Sequence, residues 1–149
     1  MSQYSRILVC IDTTPGSTPV IARGRALAEV CGAQLTLLHV VEYQPPLELD
    51  YGMIGVPDWG LNEDELVRAA EERLAAIATE SGAADALRLV RVGLAKHEIP
   101  QYAEETGTDL IVLGSHGRRG IGRLLGSTAD SVLHHAPCDV LAVRIKNTD

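Results

Sequence analysis

Short apolar runs alternate with longer amphipathic stretches along this chain, and the alternation predicts its elements. Residues 6–11, Arg-Ile-Leu-Val-Cys-Ile, form an almost continuous apolar run, as expected of a strand covered on both faces. The turn at 12–19 ends like a helix start, where Ser17 or Thr18 can cap and Pro19 suits the first helical position. Val20, Ile21, Gly24, Leu27, Ala28 and Cys31 then recur at helical spacing, and Gly32 is a stop. Residues 35–41 return to a strand pattern. The chain therefore opens with a strand–helix–strand crossover, a unit that is right-handed almost without exception.

Residues 42–61 break the rhythm with three prolines, three glycines, Tyr43, Tyr51, Met53 and Trp59. A connection of that length is either a functional lid or partner surface or a disordered excursion, and its aromatic and apolar residues argue for some ordered packing. Asn62 or Asp64 opens the next helix, whose stripe is Leu66, Val67, Ala70, Leu74, Ile77 and Ala78, with Gly82 at its end. Glu71, Glu72 and Glu80 are its solvated face. Residues 87–92 read as a third strand, and Arg88 and Arg91 suggest a place near a sheet edge. Gly93 turns the chain into a short helix running to about Thr106, which tolerates Pro100 only in its first turn. Residues 110–113 are the fourth strand, 129–136 an amphipathic helix stopped by Pro137, and 139–145 the fifth strand.

Such alternation predicts a single-domain α/β fold, an open parallel five-stranded sheet with helices on both faces. The expected strand order is 3-2-1-4-5, which places the reversal of order between the first and fourth strands. Ligands bind beyond the carboxyl ends of the strands at such a reversal. Asp12 follows one of these two strands and Gly114 the other.

Bulk properties narrow the function. At 149 residues the chain suits one domain with a proper core. Twenty acidic residues against 13 basic ones, a net charge of −7, argue against general nucleic-acid binding. No apolar run approaches the roughly 18 residues that span a bilayer, so no membrane partner is expected. The opening residues 1–6 lack secretory character, and a cytoplasmic location follows as the expectation. Cys10, Cys31 and Cys138 lie far apart in apolar runs, the pattern of buried free thiols rather than of a disulfide framework or zinc site.

Against this acidic background, residues 114–128 carry Arg118, Arg119 and Arg123 and no acidic side chain. Five glycines in the same stretch let the backbone take positive φ and pass close to another molecule. The stretch ends in Gly126-Ser127-Thr128 at a helix start, where free N–H groups and the positive helix end favour phosphate. The alternative is a surface loop whose glycines only turn and whose arginines only solubilise.

Several segments together resemble the universal stress protein family: Ile7-Leu-Val-Cys-Ile-Asp12, Leu37-Leu-His-Val-Val41, Asp109-Leu-Ile-Val-Leu-Gly-Ser-His-Gly117, Gly126-Ser127 and Pro137-Cys-Asp-Val-Leu-Ala-Val143. The resemblance covers nearly the whole chain. It implies a cytoplasmic α/β protein with the fold of the adenine nucleotide alpha-hydrolase-like group, commonly a homodimer and induced under stress or growth arrest. One branch of the family binds ATP, and its pattern is Gly-x-x-Gly, nine residues, then Gly-Ser or Gly-Thr. Here Gly114-x-x-Gly117 is followed by eight residues before Gly126-Ser127, so the loop is one residue short.

Carried over by position, the resemblance implies a site for ATP, or for AMP or ADP, with or without Mg2+. Asp12, with Thr13 beside it, would meet a ribose hydroxyl or help place the metal; an Asp after a strand can equally just cap its turn. Val40 would offer backbone groups to the adenine edge. Leu113, Gly114 and Gly117 would pass beneath the ribose and phosphates, and Gly126, Ser127 and Thr128 would donate to phosphate oxygens. Arg118 and Arg123 would neutralise phosphate charge or simply sit in solvent. His116 has no visible partner for acid–base work, and His134, His135 and Cys138 make a poor metal set because adjacent helical residues diverge.

No lysine lies between Lys96 and Lys146, so there is no Walker-type lysine after the glycines. The first turn also lacks the extra glycines and serine of related adenylating enzymes. A regulatory nucleotide-binding module is thus favoured over a nucleotide-free dimeric scaffold, and both over an ATPase, which would be slow. The last strand, from Val140 to Ile145, would be an apolar edge, and pairing with a second copy would bury it. The other outcome is a lone edge guarded by Arg144 and Lys146.

Overall fold

The computed structural model describes residues 3–42, 62–115 and 125–145. Five strands, β1 (Arg6–Cys10), β2 (Gln34–Val41), β3 (Leu87–Val92), β4 (Leu110–Gly114) and β5 (Asp139–Val143), make one parallel sheet in the order 3-2-1-4-5. The connecting helices are α1 (Ser17–Cys31), α2 (Glu63–Glu80), α3 (Ala95–Thr106) and α4 (Ser127–His135). The α/β architecture and strand order are those expected, and β3 lies at an edge as its arginines suggested.

Successive side chains of a strand point to opposite faces, and this splits the core into two layers. Ile7, Val9 and Ile11 pack with Leu37, Leu110 and Val112 against Val20, Ile21 and Ala28 of α1 and Leu74 and Ala78 of α2. Leu8, Cys10, Leu38, Val40, Ile111 and Leu113 face Ile99 and Ala103 of α3 and Ala129 and Val132 of α4. Burying each large aliphatic side chain stabilises the fold by roughly 1.5–3 kcal/mol before entropy is counted. The central strands β1 and β4 are therefore apolar on both faces, and only their ends can carry chemistry.

One helix position shows how tightly the layers meet. A Cβ on Gly24 would lie 2.3 Å from Cγ2 of Val9, so α1 rests on β1 only because that residue has no side chain.

Some boundaries differ from the sequence reading. Gly16, not Ser17 or Thr18, is the N-cap of α1, and no side chain caps it. Ser17 is buried and turned to the Asp12 carboxylate, which removes it from capping. Pro100 stands inside α3 rather than in its first turn. The helix starts at Ala95 because Ile99 and Ala103, one turn apart, both bury in the core, and that packing outweighs the one backbone bond proline cannot make. α2 ends at Glu80, with Ser81 as its cap, just before Gly82. α4 begins at Ser127, two residues before the amphipathic pattern, so Ser127 and Thr128 belong to its first turn. β5 ends at Val143, where its partner β4 ends at Gly114. Beyond Glu42, the irregular stretch to Leu61 lies outside the described residues.

Candidate functional site

The chain leaves β1 for α1 on one face of the sheet and leaves β4 toward α4 on the other. Adjacent strands whose continuations part in this way leave a crevice beyond their carboxyl ends. Its walls are the turn after Cys10, the end of β4 and the first turn of α4.

Asp12 organises the first wall. Its Oδ1 accepts hydrogen bonds from the Thr14 amide (3.1 Å), the Thr14 hydroxyl (2.6 Å) and the Ser17 hydroxyl (3.1 Å). The capping role of this residue is thus real, and it engages one oxygen only. No donor among the described residues reaches Oδ2. Thr13 is held at φ 61°, and its hydroxyl donates to the Asp12 carbonyl at 2.7 Å. Positive φ is a costly conformation for a β-branched residue, and such outliers cluster at functional sites.

Val40 contributes backbone. Its side chain is buried against α3 and α4. Along β2 the N–H and C=O groups point alternately to either neighbour: Leu38 accepts from Ile11 on the β1 side, and Val41 accepts from Gly93 on the β3 side. Val40 therefore points its polar backbone toward β1, one step past the last bond of that ladder, from the Ile11 amide to the Leu38 carbonyl.

On the opposite wall, the end of β4 and the start of α4 are tied together. Leu113 is buried, Gly114 is the last residue of β4, and the Ser115 amide donates to the Val143 carbonyl at 2.8 Å. The Gly126 amide donates to the Ser115 carbonyl at 2.7 Å, and the Ile145 amide to the Ser115 hydroxyl at 3.3 Å. Gly126 is the N-cap of α4 in an extended conformation, and no side chain caps the helix. The first amides of a helix have no partner within it, so those of Ser127 and Thr128 form an anion-ready end. Asp130 also lies in this first turn, 3.5 Å from His134 Nε2.

The structure thus gathers Asp12, Thr13, Val40, Leu113, Gly114, Gly126, Ser127 and Thr128 at the carboxyl ends of β1, β2 and β4. Gly117 and Arg118, and with them His116, Arg119 and Arg123, lie outside the described residues. Two residues to which the sequence reading gave no role emerge. Ser115 joins β4, β5 and Gly126, and His39 bonds the Ile11 carbonyl through Nδ1 at 2.8 Å. Each had a signal, a small hydroxyl and an imidazole interrupting strand-like apolar runs, but no partner could be named without the sheet register.

Cysteine and metal chemistry offer little. Burial pushes the Cys10 thiol far up, with Cys138 nearby adding to the shift, so its nucleophilic thiolate is scarce. Burial also raises the Cys138 thiol. Among the described residues no three or more His, Cys, Asp or Glu side chains are placed to hold a metal ion. Among them, too, no helix is long and apolar enough to cross a membrane.

Comparison with known proteins places this geometry. Residues 3–144 match the model of the universal stress protein family. Universal stress protein A homolog 2 of Coxiella burnetii is 42% identical over 149 residues, spanning 99% of this chain and 100% of that one. Among solved structures, universal stress protein UspA from Lactobacillus plantarum is 31% identical, covers 98% of this chain and 100% of its own, and superposes with a TM-score of 0.69. A universal stress protein solved in complex with cAMP is 27% identical, covers 97% of this chain and 100% of its own, and has a TM-score of 0.64. The two-layer α/β sheet, the glycine-bordered crevice and the near-complete match agree: this chain belongs to the universal stress protein family.

Proposed function

We propose that the chain is a cytoplasmic regulatory module that binds an adenine nucleotide, ATP foremost and AMP or ADP by the same contacts, in the crevice between β1 and β4. The observation that carries this reading is that the topology brings three unlike groups to the same end of neighbouring strands: the Asp12 carboxylate, the Val40 backbone and the uncapped start of α4. Each suits a different part of a nucleotide. A carboxylate oxygen suits ribose hydroxyls or a magnesium ion brought with the phosphates, a paired N–H and C=O suit a base edge, and free helix amides suit phosphate. The family relative solved with cAMP supports the same class of ligand.

The nucleotide acts here as a signal rather than as a substrate. No lysine stands between Lys96 and Lys146 to follow the β- and γ-phosphates, and hydrolysis is accordingly slow or absent. The eight residues between Gly117 and Gly126, one fewer than in the family's ATP-binding pattern, bear on how deeply a triphosphate is gripped.

Titration calorimetry of the purified protein with ATP, ADP and AMP tests the reading. Micromolar binding is expected, and a ligand at about a hundred times its Kd should stabilise the fold by about 2.7 kcal/mol. That is a rise of roughly 5–10 °C in Tm for a chain of this size. Asp12→Ala should weaken binding, and Gly117→Leu should abolish the thermal shift while the apo protein stays folded. A millimolar or weaker ATP affinity at moderate ionic strength would leave the nucleotide-free scaffold as the function.

A further inference from the structure

A side chain brings the ladder between β1 and β2 to its end. The Ile11 amide donates to the Leu38 carbonyl at 3.0 Å, in register with the pair Cys10 and Leu38. In a parallel ladder of this register the next bond would run from the Val40 amide to the Ile11 carbonyl. That carbonyl instead lies 2.8 Å from His39 Nδ1. A carbonyl oxygen only accepts, so Nδ1 carries the proton and donates. Among the described residues no acceptor takes the Val40 N–H on the β1 side.

We propose that His39 is the positioning residue of the site: by taking the Ile11 carbonyl it ends the β1–β2 ladder and leaves the Val40 N–H and C=O as a donor–acceptor pair aimed into the crevice. This inference rests on the adenine-nucleotide reading and adds to it the origin of base preference. Adenine presents a ring nitrogen acceptor beside an amino donor, which one residue's N–H and C=O can meet together. Guanine presents a carbonyl acceptor beside a ring N–H, the same two roles in the opposite order. A buried polar pair built for one order rejects the other because its groups go unpaired. The Asp12 turn gains as well, since the peptide that His39 holds is the one joining Ile11 to Asp12.

The test combines three readouts on the wild type, His39→Leu and His39→Asn. Nitrogen-15 NMR of the wild type should show His39 protonated at Nδ1. In His39→Leu the Val40 amide should close onto the freed carbonyl, slowing its hydrogen exchange by about tenfold or more. ATP affinity should then fall about tenfold, and the preference for ATP over GTP should shrink with it. Asparagine, whose amide can replace the Nδ1–H donor, should restore the wild-type values. An Nδ1 without its proton overturns the proposal. So does a His39→Leu protein with unchanged Val40 exchange and base preference, or an Asn variant as impaired as the Leu one. If the wild type binds no nucleotide, the functional reading falls by itself, and the Nδ1 signature and Val40 exchange still decide whether His39 ends the ladder. If the Leu variant does not fold, the wild-type spectrum and the Asn variant remain decisive.

Discussion

Two residues hold conformations or spaces that most side chains could not share, and both invite substitution. Gly24 lets α1 touch Val9, since an added Cβ would fall 2.3 Å from Val9 Cγ2. Gly24→Ala should therefore destabilise the protein by about 1–3 kcal/mol, as overpacking does, despite alanine's better helix propensity. Urea unfolding measures it, and an unchanged midpoint would mean that Val9 simply rotates away. Thr13 presents the converse case, a β-branched residue held at φ 61° beside Asp12. Thr13→Gly should relieve that conformation and raise stability by up to about 1 kcal/mol, or roughly 2–4 °C in Tm. The strain would then be a cost kept for the site, and calorimetry on the same variant should show weaker ATP binding. A glycine variant that melts lower than the parent would show that the turn is not strained.

At the scale of elements, α3 is the helix that ought not to persist by local rules, since Pro100 interrupts its backbone ladder. Its attachment to β3 explains why it does. Arg91 of β3 reaches Glu98 (3.0 Å) and Glu105 (3.0 Å), one on each side of the proline, with its guanidinium 5.6 Å from the Tyr102 ring centroid. The hydrogen bond from Arg91, and then that from Gln101, holds the Glu105 carboxyl below its ordinary value of 4.5. A carboxylate depressed on folding stabilises the folded state above its unfolded pKa, and that help is lost as pH falls through the folded value. Arg91→Met should therefore return the Glu105 titration toward 4.5 by NMR. Its stability deficit should be full at neutral pH and narrow as the pH drops below about 4.5. A deficit that does not vary with pH would mean the arginine acts through its guanidinium over the Tyr102 ring instead.

For the whole molecule, assembly turns on β5. It is the edge strand beside β4, with Val140 and Leu141 half-buried and Ala142 exposed. We propose that two copies pair along this edge, so sedimentation should give a dimer mass at micromolar concentration and Ala142→Arg a monomer; a monomeric parent would refute the pairing. How much of this was legible beforehand follows from the range of each interaction. Apolar runs such as residues 7–11 and 110–113 and the stripe of α1 declare strand and helix locally, and alternation of the two dictates a parallel sheet with helices on both faces. The glycine and arginine pattern of 114–128 likewise pointed, from sequence alone, to the stretch between β4 and α4 as the candidate site. The tertiary structure decided what depends on register. It turned Ser17 from a helix cap into a partner of Asp12, set Pro100 within α3 through Ile99 and Arg91, and brought Ser115 to Ile145. It also placed the His39 imidazole on the Ile11 carbonyl, 28 positions away in sequence. Periodicity is a property of neighbours along the chain, whereas a hydrogen bond between strands depends on how two distant segments align, and no local pattern encodes that alignment.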